Sequence, residues 1–156
     1  MTELLHHHTD GEFTFSTDKK WLDVAYVHRY LSEQSYWAKG IPREFVVRSI
    51  ENSVCIGVYD KNLSQIGFAR VITDLATFGY LADVFIDEKF RGRSLSKKLM
   101  VFIQSFEELR HLRRFILATR DAHGLYAQFG FTPLKSPDRF MEIAVTDIYQ
   151  HLPQNS

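Results

Sequence analysis

Three runs rich in β-branched and aromatic residues follow one another through the middle of this chain: Val54–Tyr59, Gln65–Thr73 and Phe78–Ile86. Turn chemistry separates the first two, Asp60-Lys61-Asn62, and Asp74-Leu75-Ala76-Thr77 separates the second from the third, so the three read as an antiparallel meander. A helix follows from Ser94 to Phe106, with Leu95, Leu99, Phe102, Ile103 and Phe106 on one face. The short apolar run Arg114–Thr119 then reads as the return strand of a β-α-β crossover, parallel to the Phe78 strand. A meander closed by a crossover leaves one architecture: an α+β fold built on a central mixed, mostly antiparallel sheet with helices on both faces.

The flanks extend this plan. Glu12 to Ser16 alternates as a first strand. Asp18 is placed to cap a helix carrying Trp21, Leu22, Ala25, Tyr26, Val27 and Tyr30, and a polar, aromatic loop runs from Ser32 to Gly40. Pro42 opens a second helix through Phe45, Val46 and Ile50. After the crossover, a short helix from about Ala122 to Gln128 ends at Gly130, a left-handed cap. Two further strands are expected, around Phe131 and from Phe140 to Ala144.

The 156 residues are 45 % apolar, enough for one core, and read as a single domain (core about 12–144) with loosely ordered termini. Nineteen basic residues balance nineteen acidic ones, so nothing draws the chain in bulk to nucleic acid or an anionic membrane. A lone Cys55 inside an apolar run excludes an internal disulfide and fits a reducing compartment. With no apolar stretch of bilayer length and no signal peptide, the expectation is a cytoplasmic protein. His6-His7-His8 lies too near a loosely ordered end to read as a metal site, and no metal is expected.

The segment carrying most chemical information is Arg91-Gly92-Arg93-Ser94-Leu95-Ser96, directly after the Phe78–Ile86 strand. A helix start has backbone N–H groups without intrahelical partners and a partial positive charge, so it can hold an anion. Two arginines and two serine hydroxyls share that turn, and a phosphate-bearing ligand suits it. The glycine-rich lysine loop of nucleotide triphosphate sites is missing.

Taken with Tyr126-Ala127-Gln128-Phe129-Gly130-Phe131 downstream, this arrangement resembles the GNAT superfamily of acyl-coenzyme A-dependent N-acyltransferases over about residues 12 to 144. The family's pyrophosphate motif, Arg/Gln-x-x-Gly-x-Gly/Ala, falls on Arg91 to Ser96, with Ser94 and Ser96 where glycine and glycine or alanine are usual. The resemblance implies a V-shaped splay of two parallel strands flanked by about four helices, and acetyl-CoA as acyl donor. It further implies that the edge of Val84, Phe85 and Ile86 pairs with the pantetheine arm, with the Val84 amide polarising the thioester carbonyl. Tyr126 matches the tyrosine that protonates the departing thiolate. An asparagine often found before this helix is absent, with Thr119 or Asp121 as its substitute.

The base that takes the amine proton is open between Asp83 and His123, with Asp74 and Asp121 as further candidates. For the acceptor, the resemblance points to Tyr36 and Trp37 in the Ser35 to Pro42 segment, with Phe140 in the Arg139-Phe140-Met141 stretch opposite and Asp74 near the mouth. Tyr36 and Trp37 are either an aromatic wall for the amine or lid packing. The implied reaction is acetyl transfer to a primary amine of a small molecule or peptide in a ternary complex, by a monomer or homodimer. The rival is a non-catalytic acyl-CoA sensor or interaction domain.

Overall fold

A computed structural model of the chain describes residues 3–152. Six strands form one sheet in sequence order: β1 (His7–Asp10), β2 (Phe13–Ser16), β3 (Val54–Tyr59), β4 (Gln65–Thr73), β5 (Phe78–Ile86) and β6 (Arg114–Leu117). Every neighbouring pair is antiparallel except β5 and β6, which are parallel. The four α-helices are α1 (Val24–Arg29), α2 (Arg43–Glu51), α3 (Leu95–Gln104) and α4 (His123–Ala127). This is the mixed α+β sheet expected, and the three central strands keep the bounds read from the sequence.

Alternation along β3 explains the two-sided core. Val54, Ile56 and Val58 bury against α3 through Leu95, Leu99, Phe102 and Ile103. Cys55, one residue out of phase, joins Val27, Leu31, Val46 and Ile50 of the α1 and α2 layer. In β5 the alternation breaks: Leu81 and Ile86 face α3, whereas Phe85 faces the other layer and stacks on Tyr30 at 3.7 Å. The cause is a bulge, since Phe68 pairs with Phe85 but Arg70 pairs with Ala82, leaving Asp83 and Val84 opposite Ala69 alone. Asp83 takes the strain with φ +54°.

Several expectations need correction. The N-terminal histidines are not a loose end: His7–Asp10 is an edge strand, and His6 stacks on Phe106 at 4.5 Å and bonds Glu108 at 3.1 Å. Gly11-Glu12, with Gly11 at φ +62°, makes the tight turn into β2. Asp18 caps only the single 3₁₀ turn Lys19–Trp21, and Leu22 is extended, so α1 starts later. Its cap is Asp23, whose carboxylate accepts from the Tyr26 N–H at 3.0 Å. Asp23→Ala is therefore expected to cost about 1 kcal/mol in thermal or urea unfolding. Part of the expected loop after α1 is instead one π turn, Tyr30–Gln34.

Neither C-terminal strand forms. Phe131 spends its N–H on the Tyr126 carbonyl, and Pro133, which has no N–H to donate, follows two residues later. Phe140 closes the 3₁₀ turn Pro137–Arg139 and puts its ring under the Arg114 guanidinium, while Met141 and Ile143 are almost fully exposed. Among the described residues no helix is long and apolar enough to cross a membrane.

Candidate active site

The parallel strands β5 and β6 pair from Phe78↔Arg114 to Leu81↔Leu117 and no further. β5 continues for five residues, Ala82 to Ile86, with β4 on one side and, among the described residues, no strand on the other. That divergence is the V-shaped splay. It opens into a cleft of about 1080 Å³ whose lining includes Ala82, Asp83 and Val84 on one arm and Leu117, Ala118 and Thr119 on the other. Tyr126 closes it from α4, with Tyr36 and Trp37 across its mouth.

Tyr126 is 9 % exposed. Its hydroxyl has no hydrogen-bond partner among the described residues, and its ring meets the edge of Phe131 at 6.0 Å. Burial, with smaller contributions from Tyr36 and Asp121, pushes the phenol up to about 12. It therefore stays protonated through the neutral range.

Both oxygens of Asp83 are engaged. Arg70 Nε donates to Oδ2 at 2.9 Å, and Trp37 Nε1 donates to Oδ1 at 2.8 Å. The bulge is what turns the carboxylate toward Arg70, and the pair is mostly shielded from water. Tyr36, the neighbour of Trp37, reaches the opposite arm. Its hydroxyl accepts from the Arg120 N–H at 3.2 Å, and the Arg120 guanidinium lies 3.9 Å from its ring centroid. Two adjacent aromatics thus bridge both arms of the V, and both still line the cleft.

The remaining expected residues are placed as follows. Thr119 lines the cleft and uses its hydroxyl to accept from the Ala122 N–H at 3.0 Å, bracing the start of α4. Asp121 lines it too. Phe85 and Ile86 send their side chains into the two core layers, which leaves only their backbone to the splay. His123 begins α4 in an exposed position and is not part of the cleft wall. Phe140 is held by Arg114, away from the cleft.

Asp74 is also elsewhere, and committed. Its carboxylate accepts from the Thr77 hydroxyl at 2.6 Å and from the amides of Thr77, Ala76 and Phe78. Led by the Thr77 hydroxyl, these bonds hold it well below the usual carboxylate range. It closes the β4–β5 turn rather than facing an ammonium.

Arg91 to Ser96 forms the entry to α3 below the open end of β5. Gly92 (φ +82°) and Ser94 (φ +59°) are both left-handed, and Ser94 makes no side-chain cap. The first helical bond runs from Lys98 N to Ser94 O, so the N–H groups of Leu95, Ser96 and Lys97 precede the intrahelical ladder. Arg91 bonds the Ile86 carbonyl and the Tyr30 hydroxyl, both at 3.3 Å, and Arg93 lies over the Phe90 ring. A turn of this shape, with free amides and two arginines, fits a pyrophosphate. Ser94→Gly is expected to raise stability by about 0.5–1 kcal/mol in chemical unfolding, because glycine adopts this φ without strain.

Comparison with known proteins agrees with this fold. The model of the acetyltransferase (GNAT) domain matches residues 51–133. The chain belongs to the GNAT acetyltransferase family. A candidate acetyltransferase of Gibberella zeae is 30 % identical, the match covering 77 % of this chain and 78 % of that protein. A solved structure from Xanthomonas campestris, described as a candidate GNAT-family acetyltransferase, is 47 % identical with a TM-score of 0.85 over 92 % of this chain and 96 % of that one. A candidate acetyltransferase from Deinococcus radiodurans shares the fold at 16 % identity and a TM-score of 0.70, covering 95 % and 99 %. GNAT acetyltransferases use acetyl-CoA as co-substrate, so acetyl transfer is the activity that family membership supports.

The cleft also contains residues that sequence reading missed: Phe45, Arg48, Arg70 and Tyr149. Arg70 had a visible signal, an arginine inside the otherwise largely apolar Gln65–Thr73 run, where a charge is retained only with a partner. Tyr149 had none; it arrives from the C-terminal Ile148–Gln150 turn to pack edge-on against Phe45 at 5.9 Å.

Proposed function

We propose that this chain transfers an acetyl group from acetyl-CoA to a primary amine by direct attack within a ternary complex. The observation that carries this reading is the free edge of β5 beyond Leu81, facing Tyr126 across the cleft. On this reading the pyrophosphate rests on the Arg91–Ser96 turn, with Gly92, Arg93 and Leu95 supplying backbone, and the pantetheine arm runs along Val84 to Ile86. The Val84 N–H polarises the thioester carbonyl.

The amine nitrogen attacks the carbonyl carbon, the C–N bond forms and the C–S bond breaks. Asp83, directly or through a water, takes the proton the nitrogen loses; its place in the cleft favours it over His123. Tyr126 supplies the proton that ends on sulfur and regains one from solvent. An ordinary thiol titrates near ~8.5, so transfer from a phenol at about 12 to the departing thiolate is uphill and is completed only because the phenolate regains a proton from solvent. Until that transfer the phenol stabilises the sulfur as a hydrogen-bond donor.

No acyl-enzyme is part of this scheme. Cys55 is buried in β3, and burial pushes its thiol up to about 11. A buried free thiol also suits a cytoplasmic location. Mass spectrometry of an amine panel incubated with acetyl-CoA tests the reading. An acetylated amine with unmodified protein is expected. Thermal protection by CoA with no acetylated product would instead support the sensor reading.

A further inference from the structure

The cleft does not end at Asp83. Beyond it the walls are Phe45 and Arg48 of α2, Arg70 and Ile72 of β4, Tyr80 of β5, and Tyr149. Arg70, which pairs with Cys55, and Ile72, which pairs with Tyr80, lie on the α1 and α2 face of the sheet, whereas Tyr126 packs into the α3 face. The electrostatics of this arm of the cleft are one-sided. Three arginines (Arg48, Arg70 and Arg120) and two aspartates (Asp83 and Asp121) line the whole cleft, and Asp83 is already matched by Arg70.

Arg48 is the informative cation. Glu44 and Glu51 stand four residues before it and three after it on the same helix, the spacings at which ion pairs form. Among the described residues it pairs with neither. Its guanidinium lies instead over the Phe45 ring, 5.4 Å from the centroid, at the rim shared by the cleft and a shallow depression lined by Glu44 and Glu51. Arg70 is similarly under-used. Only its Nε is bonded, to Asp83, and its terminal nitrogens have no acceptor among the described residues although its side chain is 15 % exposed. Phe45, under Arg48, packs edge-on against Tyr149, and both rings line the same cleft as Arg70.

We infer that the acceptor is an amine carrying its own anionic group, a carboxylate or a phosphate. Arg48 holds that group, helped by the free N–H groups of Arg70, while the spacer lies on Phe45 and Tyr149 and the amine reaches Asp83 and the splay. This rests on the amine-transfer reading above. A diamine suits the arm poorly, because within this arm its second ammonium would meet Arg48 while the nearby carboxylate Asp83 is already matched by Arg70; Glu44 and Glu51 line the neighbouring depression and not the cleft.

The test compares hexylamine, ε-aminohexanoate, aminohexyl phosphate and hexamethylenediamine as acceptors at fixed acetyl-CoA. The expected result is a kcat/KM at least about tenfold higher for an anionic amine than for hexylamine or the diamine, as a charge-assisted contact would give. The carboxylate and phosphate arms show which anion the site takes. Arg48→Gln should remove about tenfold of that preference, through KM rather than kcat, and Arg48→Lys should restore part of it. Equal or better use of hexylamine or the diamine, or a preference that survives Arg48→Gln, would overturn the inference. If CoA binds but no amine is acetylated, the transfer reading has failed. The subsite is then read from melting temperature with CoA present: an Arg48-dependent rise with ε-aminohexanoate or aminohexyl phosphate supports it, and no rise with either overturns it.

Discussion

Tyr126→Phe is expected to lower kcat at least tenfold while leaving acetyl-CoA affinity nearly unchanged. The substitution removes one oxygen from a ring that is already 9 % exposed and packed on Phe131, so the cleft keeps its shape. On the proposed mechanism, what disappears is the proton donor to the departing sulfur, and such groups typically contribute ~10²-fold or more. Steady-state kinetics with CoA as a competitive inhibitor separates the two quantities. Wild-type-like turnover would remove Tyr126 from the chemistry. The pH dependence follows from the same burial. Because the folded phenol sits at about 12, above its ordinary value near ~10, the protonated form favours folding. That contribution is complete below about pH 10 and is lost as pH rises through about 12. No limb of the wild-type pH–rate profile in the neutral range should then vanish in Tyr126→Phe.

Ser96→Asp is expected to move stability and binding in opposite directions. Residue 96 is the second of α3, where a carboxylate meets unpaired amides and the positive end of the helix dipole. The free protein should gain ~0.3–1 kcal/mol, seen as a higher melting temperature. The same carboxylate would face the pyrophosphate of the donor. At short range such repulsion reaches a few kcal/mol even at an effective dielectric of ~20, so the Kd for acetyl-CoA should rise at least tenfold. Thermal shift and calorimetry on one sample check both. A stabilised variant that binds acetyl-CoA as tightly as wild type would place the phosphates elsewhere.

What could be read from the sequence was what local pattern decides. β3, β4 and β5 were legible because dense β-branched and aromatic runs end at turn residues. The Arg91–Ser96 turn was legible because its position between a strand and an amphipathic helix is a short-range fact. The strand of His7–Asp10 was not, because its polar residues carry no apolar alternation; pairing with β2 makes it a strand. The opposite error arose at Phe140–Ala144, where propensity predicts a strand but β6 is four residues long and Phe140 is held by Arg114. Asp18 and Asp23 are equivalent caps in composition, and only the extended Leu22 between them decides which one starts α1.

The site divides the same way. Tyr126, Asp83, Val84, Thr119, Tyr36 and Trp37 converge on one cleft, with the β5 bulge at Asp83. Asp74 and His123 do not join it, because one carboxylate is consumed by its own turn and the histidine lies outside the cleft wall. Arg48, Arg70 and Tyr149 come from three distant parts of the chain, and only the fold brings them together.

On the proposed reading, one acetyl-CoA molecule spans the free edge of β5 and the start of α3. Amide hydrogen exchange with and without acetyl-CoA tests this most directly, since these amides lie outside the sheet's β5–β6 ladder and the helical ladder. Slowed exchange is expected in two separated segments at once, Ala82 to Ile86 and Leu95 to Lys97. Protection confined to one of them, or to neither, would contradict that reading.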